Sequence, residues 1–204
     1  MKIYLAVIAV LAWFALIAQF CINLNTIHAP TGEIIIRYFC YFTVITNLLI
    51  AVCSTALVLS PFAAIGQFFS RQTTRAAMAM YIFNVALIYN IVLRPTAHPH
   101  GLGRVADEIF HVVVPVLYLI YWYIFVPKDK LKWNSFWSWL IMPLVYVFII
   151  FIRGAFSKYY PYPFFNVVKI GYQHALINAF FITIAFLLVS LGFIGIGKLK
   201  HKRV

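Results

Sequence analysis

Charged side chains are scarce in this chain: they make up 10% of its 204 residues, and only 4 of them are acidic. Soluble domains carry roughly 25% charged residues, so this composition excludes a separate soluble domain of any size. Cysteine is rare too, and Cys21, Cys40 and Cys53 all lie in or beside apolar runs, which argues against a disulfide framework. The sequence contains no phosphate-binding glycine loop, no G-x-S-x-G elbow and no zinc-type cysteine pair.

Hydrophobic residues make up 65% of the chain and fall into six long runs. Each run approaches or exceeds the roughly 20 residues that a helix needs to cross a bilayer. The runs are continuous rather than alternating, and an open sheet would leave its edge hydrogen bonds unmade in lipid. We therefore predict an all-α fold: a single integral membrane domain over residues 1–204, built as a bundle of six transmembrane helices. The predicted helices cover approximately residues 3–23, 34–60, 76–93, 109–126, 136–152 and 172–196.

The first run raises the alternative of a cleaved signal peptide. Its N-terminal region carries a single basic residue, Lys2. The apolar stretch exceeds the usual length of about 7–15 residues, and no small-residue cleavage motif closes it. We therefore expect a first helix that is retained in the membrane.

The formal charge of +12 raises the alternative of a nucleic-acid partner. The basic residues lie between apolar runs, however, where lipid headgroups account for them better, so we expect no nucleic-acid partner. With six spans, ten of the 16 Lys and Arg residues lie on the side of the two termini. This excess predicts cytoplasmic termini in a multi-pass protein of the cell (inner) membrane. The ten residues are Lys2, Arg71, Arg75, Lys128, Lys130, Lys132, Lys198, Lys200, Lys202 and Arg203.

Polar side chains inside a membrane helix are costly, so each is a candidate functional residue. The second run contains Thr43, Thr46 and Asn47 within YFTVITNLL, and their spacing places all three on one face of a helix. The alternative is structural: a threonine hydroxyl bonds to the carbonyl one turn back, and an asparagine joins two helices.

The fourth run opens with ADEIFHVVVPVLY, in which His111 lies one turn after Asp107. A histidine among apolar residues serves as a base near neutral pH, and a carboxylate at i−4 would orient its imidazole. The alternative is an interfacial histidine bonded to a carbonyl or a water. Pro115 is expected to kink this helix and to free a carbonyl one turn earlier.

The predicted topology gathers these polar residues in the outer half of the bundle. Counted from residue 34, Thr43 lies roughly 13 Å below the outer boundary at 1.5 Å per residue, whereas His111 lies only slightly below the start of its run. A helix start near Gly103 would remove much of this mismatch. Arg153 and His174 belong to the same half, as does the aromatic loop KYYPYPFF between them.

A metal hypothesis arises from the loop His98-Pro99-His100-Gly101 and from the E-x-x-H spacing of Glu108 and His111. Di-iron bundles use E-x-x-H, but they repeat it on a second helix and add further carboxylates. This chain has only four acidic residues. We therefore expect neither a metal nor another cofactor.

The motifs YFTVITNLL and FHVVVPVLY, together with the loop YPYPFF, resemble the androgen-induced gene family of multi-pass membrane proteins, and more closely its bacterial relatives. The resemblance implies a six-helix fold. In animal members a threonine of the second helix and a histidine of the fourth form an intramembrane dyad that hydrolyses fatty acid esters of hydroxy fatty acids. Matched residue by residue, the dyad falls on Thr43 and His111, with Thr46 as the fallback nucleophile.

The resemblance implies a threonine-dependent hydrolase of lipid esters. Thr43 would attack the ester after His111 removes its proton, and Asp107 would orient His111. Asn47 or a backbone N–H would stabilise the oxyanion, and the expected partner is a membrane lipid or lipid-like ester. The alternatives are a lipid-binding or transport protein without chemistry, and a structural protein in which Thr43 and His111 bond to separate neighbours. The distance between these two side chains discriminates the dyad from the structural alternative.

Overall fold

The computed structural model of the chain describes residues 1–201. Within these residues the chain forms helices joined by short connections, and no strand is present. Six helices are long and apolar enough to cross a membrane, namely α1, α3, α5, α6, α7 and α8, which confirms the predicted all-α, six-span fold. The helices are α1 (Lys2–Thr26), α2 (Thr31–Phe39), α3 (Phe42–Leu59), α4 (Ala64–Ser70), α5 (Gln72–Thr96), α6 (Gly101–Phe125), α7 (Ser135–Ser157) and α8 (Val167–His201).

With six spans, the first and the last described residues of the chain lie on the same side of the bundle. The cytoplasmic location of that side stays a prediction from the Lys and Arg distribution. Of the residues in that count, Lys202 and Arg203 lie outside the described residues.

The second predicted helix, over residues 34–60, is wrong as a single element. A short amphipathic helix, α2, ends at Phe39, and α3 begins at Phe42 after the extended backbone of Tyr41 (φ −85°, ψ 123°). Hydropathy missed this break because the residues on both sides of it are apolar. The break is stabilised from elsewhere in the fold, since the hydroxyl of Tyr146 donates to the freed carbonyl of Cys40 at 2.7 Å.

The fourth predicted helix, over residues 109–126, begins too late. α6 starts at Gly101, and its first two turns contain Arg104, Asp107 and Glu108. These charged residues lower the local hydropathy, so the apolar run understates the helix. At the other end of the chain, Gly171 interrupts α8 with a positive φ of 76°, and the regular helix after it matches the predicted run from residue 172.

Four helices, α1, α3, α5 and α6, form the central cluster of the bundle. α1 turns a buried stripe toward its neighbours, with Leu5, Ile8, Ala12 and Ala15 at helical spacing. The small alanines allow the backbones of α1 and α3 to approach closely, as is typical of helix packing in lipid.

The remaining spans, α7 and α8, pack on each other, and α8 also packs on α5. Their outer faces expose large apolar side chains such as Phe148 (67%) and Phe181 (63%), which is the surface that a lipid environment covers. The connection between them, residues 158–166, folds over the end of the bundle where α3 begins. That end contains the candidate site.

Candidate active site

Thr43 and His111 lie next to each other, although they come from different spans and are separated by 68 positions in the chain. The hydroxyl oxygen of Thr43 is 3.4 Å from Nε2 of His111, and the imidazole is buried. Thr43 lies in the first turn of α3, whereas His111 lies more than two turns into α6. The mismatch in depth that the sequence predicted is absent because α3 starts eight residues later, and α6 eight residues earlier, than the apolar runs.

Asp107 determines which imidazole nitrogen faces Thr43. Nδ1 of His111 is 2.9 Å from the backbone carbonyl of Asp107 and 3.2 Å from its carboxylate oxygen Oδ1. A proton on Nδ1 satisfies both contacts, and this assignment leaves the lone pair of Nε2 directed at Thr43. The expected role of Asp107 as the orienting group of His111 therefore has the required geometry.

Tyr89 of α5 holds the imidazole of His111 in two ways, by stacking on its ring and by a hydrogen bond to Asp107. This residue was not identified from the sequence. The rings of Tyr89 and His111 stack with their centroids 3.5 Å apart and an interplanar angle of 8°. The Tyr89 hydroxyl donates to Oδ2 of Asp107 at 2.5 Å. The carboxylate is thereby shared between a phenol and an imidazole, and the imidazole has little freedom to rotate.

Both Tyr89 and His111 lie in π-helical segments, which are widened turns that often occur at functional sites. The segments are Tyr89–Leu93 in α5 and Ile109–Val113 in α6. Each begins six residues before a proline, Pro95 or Pro115. A proline ring clashes with the carbonyl four residues earlier and offers no N–H to it, and a wider turn relieves that clash. The spacing to proline is the sequence signal that points to both segments.

The carbonyl that Pro115 leaves without its helical donor is that of His111 itself. The side chain of Asn90 supplies the donor instead, with Nδ2 at 3.1 Å from this oxygen. The expected consequence of Pro115, a freed carbonyl one turn earlier, is therefore present, and it links α6 to α5 directly behind the imidazole.

Tyr162 is the second residue in contact with Thr43, and it comes from the connection between α7 and α8. Its hydroxyl accepts from the backbone N–H of Thr43 at 3.3 Å and lies 3.5 Å from the Thr43 hydroxyl. Burial raises the pKa of Tyr162 to about 12, so the phenol keeps its proton at neutral pH. Because Tyr162 accepts from the amide, its own proton remains available for an oxygen nearby. The quoted motif YPYPFF contains this residue, but its role has no sequence signature.

The start of α3 adds a favourable field for negative charge at this point. The N–H groups of Thr43 and Val44 already donate to the Tyr162 hydroxyl and to the Tyr41 carbonyl, so the helix end acts only through the partial positive charge of its dipole. Thr43 lies at the second position of α3, so an oxyanion formed beside it would be stabilised by the helix end as well as by Tyr162.

The pair lines a cavity of about 390 Å³ that also reaches Gln19, Asn23, Arg37 and Asp107. We call this space the polar cavity. A neighbouring space of about 500 Å³ shares Gln19 and Asp107 with it and reaches the loop of His98 and His100, whose side chains are exposed. This arrangement gives water a route to Thr43 from the end of the bundle.

Arg153 lies outside the polar cavity and contacts Tyr159, which lines it. Its guanidinium and that of Arg37 share one oxygen of Glu33, at 2.8 and 2.7 Å. Both guanidinium groups also lie over the ring of Tyr159, with their central carbons 5.2 and 4.6 Å from its centroid. Hydrogen bonds from the two arginines lower the pKa of Glu33 below its ordinary value.

The remaining predicted residues lie apart from the reacting atoms. Nδ2 of Asn47 contacts the carbonyls of Thr43 at 2.9 Å and Phe110 at 3.5 Å, so this amide joins α3 to α6 and has no proton left for an oxyanion. The hydroxyl of Thr46 is buried and has no hydrogen-bond partner within residues 1–201. His174 is exposed, with Nδ1 3.1 Å from the carbonyl of Ile170.

Glu108 has a different partner from the one that the E-x-x-H spacing suggests. Its carboxylate pairs with Arg94 at 2.7 Å. In the described part of the chain, no three His, Cys, Asp or Glu residues are grouped so that they could hold a metal ion.

Comparison of the chain with models of known protein families, with curated proteins and with solved structures finds no match.

Proposed function

We propose that the protein is an intramembrane hydrolase of lipid (fatty acid) esters, with Thr43 as the nucleophile and His111 as the base. The observation that carries this proposal is the 3.4 Å contact between the Thr43 hydroxyl and Nε2 of His111, with Asp107 behind Nδ1. A threonine hydroxyl is a weak nucleophile until an adjacent base removes its proton. A base whose other nitrogen is held by a third group has the arrangement of a hydrolytic triad.

In the first step, the Thr43 oxygen attacks the ester carbonyl and its proton passes to Nε2 of His111. The tetrahedral intermediate then collapses: the bond to the alcohol oxygen breaks, and His111 returns the proton to that oxygen. The products are a free alcohol and an acyl ester on Thr43. The 3.4 Å separation is at the long end for a hydrogen bond, as is common before substrate closes a site.

Tyr162 and the start of α3 are suited to stabilise the intermediate. The negative oxygen forms beside Thr43, where the Tyr162 proton is available and the helix end is positive. Hydrogen-bond donors that are already oriented toward the negative charge of the transition state make one of the largest contributions to enzyme catalysis.

In the second step, water hydrolyses the acyl ester on Thr43. His111 removes a proton from the attacking water, the bond between the Thr43 oxygen and the acyl carbon breaks, and His111 returns the proton to the Thr43 oxygen as the fatty acid is released. The route through the polar cavity toward the loop of His98 and His100 supplies the water. If the termini are cytoplasmic, as the basic residues predict, the reaction takes place in the outer half of the cell membrane.

A fluorophosphonate probe tests the nucleophile. The wild-type protein in detergent micelles should be labelled and should hydrolyse a fatty acyl ester, whereas Thr43→Ala and His111→Ala should each lose activity by roughly 10³-fold or more. Thr46→Ala is the matched control, because it removes a buried threonine one turn away on the same helix. It should keep both labelling and turnover.

Two outcomes would contradict the proposal. Loss of activity in Thr46→Ala, with activity retained in Thr43→Ala, would make Thr46 the nucleophile. Activity retained in both variants would show that neither threonine is the nucleophile. Wild-type protein that binds a lipid ester without labelling or turnover would instead favour the non-catalytic alternative, a lipid-binding or transport protein. Size-exclusion profiles establish that each variant is folded.

A further inference from the structure

A second, narrower cavity meets the polar cavity at Thr43. It holds about 50 Å³ and lies among α5, α7, α8 and the connection that carries Tyr162. Thr43, Tyr89 and Tyr162 line both spaces, so the nucleophile is located where the two spaces join. We call this second space the narrow cavity. Its length along α7, from Leu140 to Val147, is about 10 Å at 1.5 Å per residue.

The walls of the narrow cavity are apolar toward a ligand, because the hydroxyl groups that lie in them donate their protons elsewhere. Tyr146 donates to the carbonyl of Cys40 at 2.7 Å, Thr183 donates to the carbonyl of Ala179 at 2.8 Å, and Tyr89 donates to Asp107. Each of these protons is therefore used outside the cavity. The polar groups left to face a ligand are those at the Thr43 end.

His111 decides which part of an ester belongs in which cavity. It lines the polar cavity and is not among the residues that line the narrow one. The departing alcohol oxygen must take its proton from Nε2 of His111, so the alcohol has to lie on the His111 side of Thr43. The acyl chain, attached to the other side of the same carbonyl carbon, is then directed away from His111.

We propose that the narrow cavity is the acyl-chain site, that it accepts an unbranched chain, and that the alcohol portion of the ester lies in the polar cavity. This inference rests on the proposed hydrolase function. The apolar wall suits a hydrocarbon chain, and a space of about 50 Å³ has no room for a branch near the carbonyl. Leu144, whose side chain lines the cavity and is 47% exposed, lies where a chain passes between the cavity and the lipid.

The test measures kcat/KM in micelles for nitrophenyl esters with acetyl, octanoyl and branched octanoyl chains. Wild-type protein should prefer octanoyl over acetyl and over the branched chain. Ile182→Trp and Leu144→Trp fill the narrow cavity from α8 and α7, and each should lower the octanoyl-to-acetyl ratio by about tenfold or more. Leu144→Trp is the second variant because a half-exposed position tolerates a large side chain more readily. Phe148→Trp, on the exposed face of the same helix, is the control and should keep the wild-type ratio.

A complementary variant examines the alcohol side. Ala97→Trp narrows the polar cavity and should discriminate against large alcohols at a fixed acyl chain. If Ile182→Trp and Leu144→Trp alter the alcohol preference and not the acyl preference, the assignment is reversed and the inference is overturned. If folded Ile182→Trp and Leu144→Trp keep the wild-type ratio, the inference fails while the hydrolase proposal stands. If wild-type protein cleaves no ester, or if Thr43→Ala still does, the proposed function fails and this inference with it.

Discussion

Asp107 contacts the imidazole of His111 through two different oxygens. The carboxylate is 3.2 Å from Nδ1, and the backbone carbonyl of the same residue is 2.9 Å from it. The backbone contact does not depend on the side chain, so the tautomer of His111 is determined even where the carboxylate is neutralised. Tyr89 and Asp107 therefore fix the position of the imidazole, whereas Thr43 and His111 are the reacting groups of the proposed hydrolysis.

Tyr162→Phe is the sharpest test at the residue scale. It removes the phenol proton beside the Thr43 oxygen and leaves the ring in place. Loss of an oxyanion donor of this kind lowers kcat by roughly 10²-fold with little change in KM. Because burial raises the pKa of Tyr162 to about 12, the phenol stays protonated, and the wild-type pH–rate profile should show no loss from Tyr162 as the pH rises to the ordinary tyrosine pKa of about 10. Wild-type kcat in Tyr162→Phe would exclude the donor role.

At the scale of the element, the active geometry depends on irregular turns rather than on ideal helix. Ile109–Val113 is a π-helical segment, and His111 lies at its centre. If this segment were a regular α-helix, the residues before it would be rotated relative to the residues after it, since each residue of an α-helix turns by about 100°. Pro115 favours the wide turn because it cannot donate to His111, and Asn90 makes the bond instead.

Pro115→Ala should therefore increase stability and reduce activity. The new N–H can donate to the His111 carbonyl, which shifts the segment toward an α-helix and moves the imidazole relative to Thr43. Replacing a proline inside a helix removes a clash and restores a hydrogen bond, so the thermal unfolding midpoint should rise, whereas ester hydrolysis should drop by about tenfold or more. Full activity with an unchanged midpoint would show that the wide turn does not depend on Pro115.

At the scale of the whole molecule, the site needs two parts of the bundle in register. Thr43 and His111 belong to the central cluster of α1, α3, α5 and α6, whereas Tyr162 comes from the connection between α7 and α8. Glu33 of α2 and Arg153 of α7 form an ion pair at 2.8 Å that joins these two parts beside the cavity.

The Glu33 pair predicts a pH dependence of stability. The folded-state pKa of Glu33 is lowered by its two arginines, so its contribution is fully present above the unfolded value of about 4.3 and is lost as the pH falls through the folded value. The unfolding midpoint of Glu33→Gln should lie below that of wild type by the same amount from pH 7 down to about pH 5, and the difference should shrink as the pH falls below about 4. A difference that stays constant down to about pH 2 would show that the ionised carboxylate is not what joins the two parts.

Thr43 and His111 could be chosen as candidates from the sequence because polar residues stand out in apolar runs. Tyr89 and Tyr162 were not, since aromatic residues make up 19% of the chain and a tyrosine in a catalytic contact has the same local pattern as one that packs. Thr46 and Asn47 share the helical face of Thr43, and sequence spacing alone could not separate the three.

Composition and hydropathy by themselves determined that the chain spans a membrane six times as an all-α bundle, because burying apolar runs in lipid depends on length and polarity alone. The tertiary structure decided where α3 begins, which threonine meets the imidazole, and that a tyrosine from a distant connection completes the site. These features depend on hydrogen bonds between residues far apart in the chain, such as Tyr146 to Cys40 and Tyr162 to Thr43. Such contacts leave no periodic signal in the sequence.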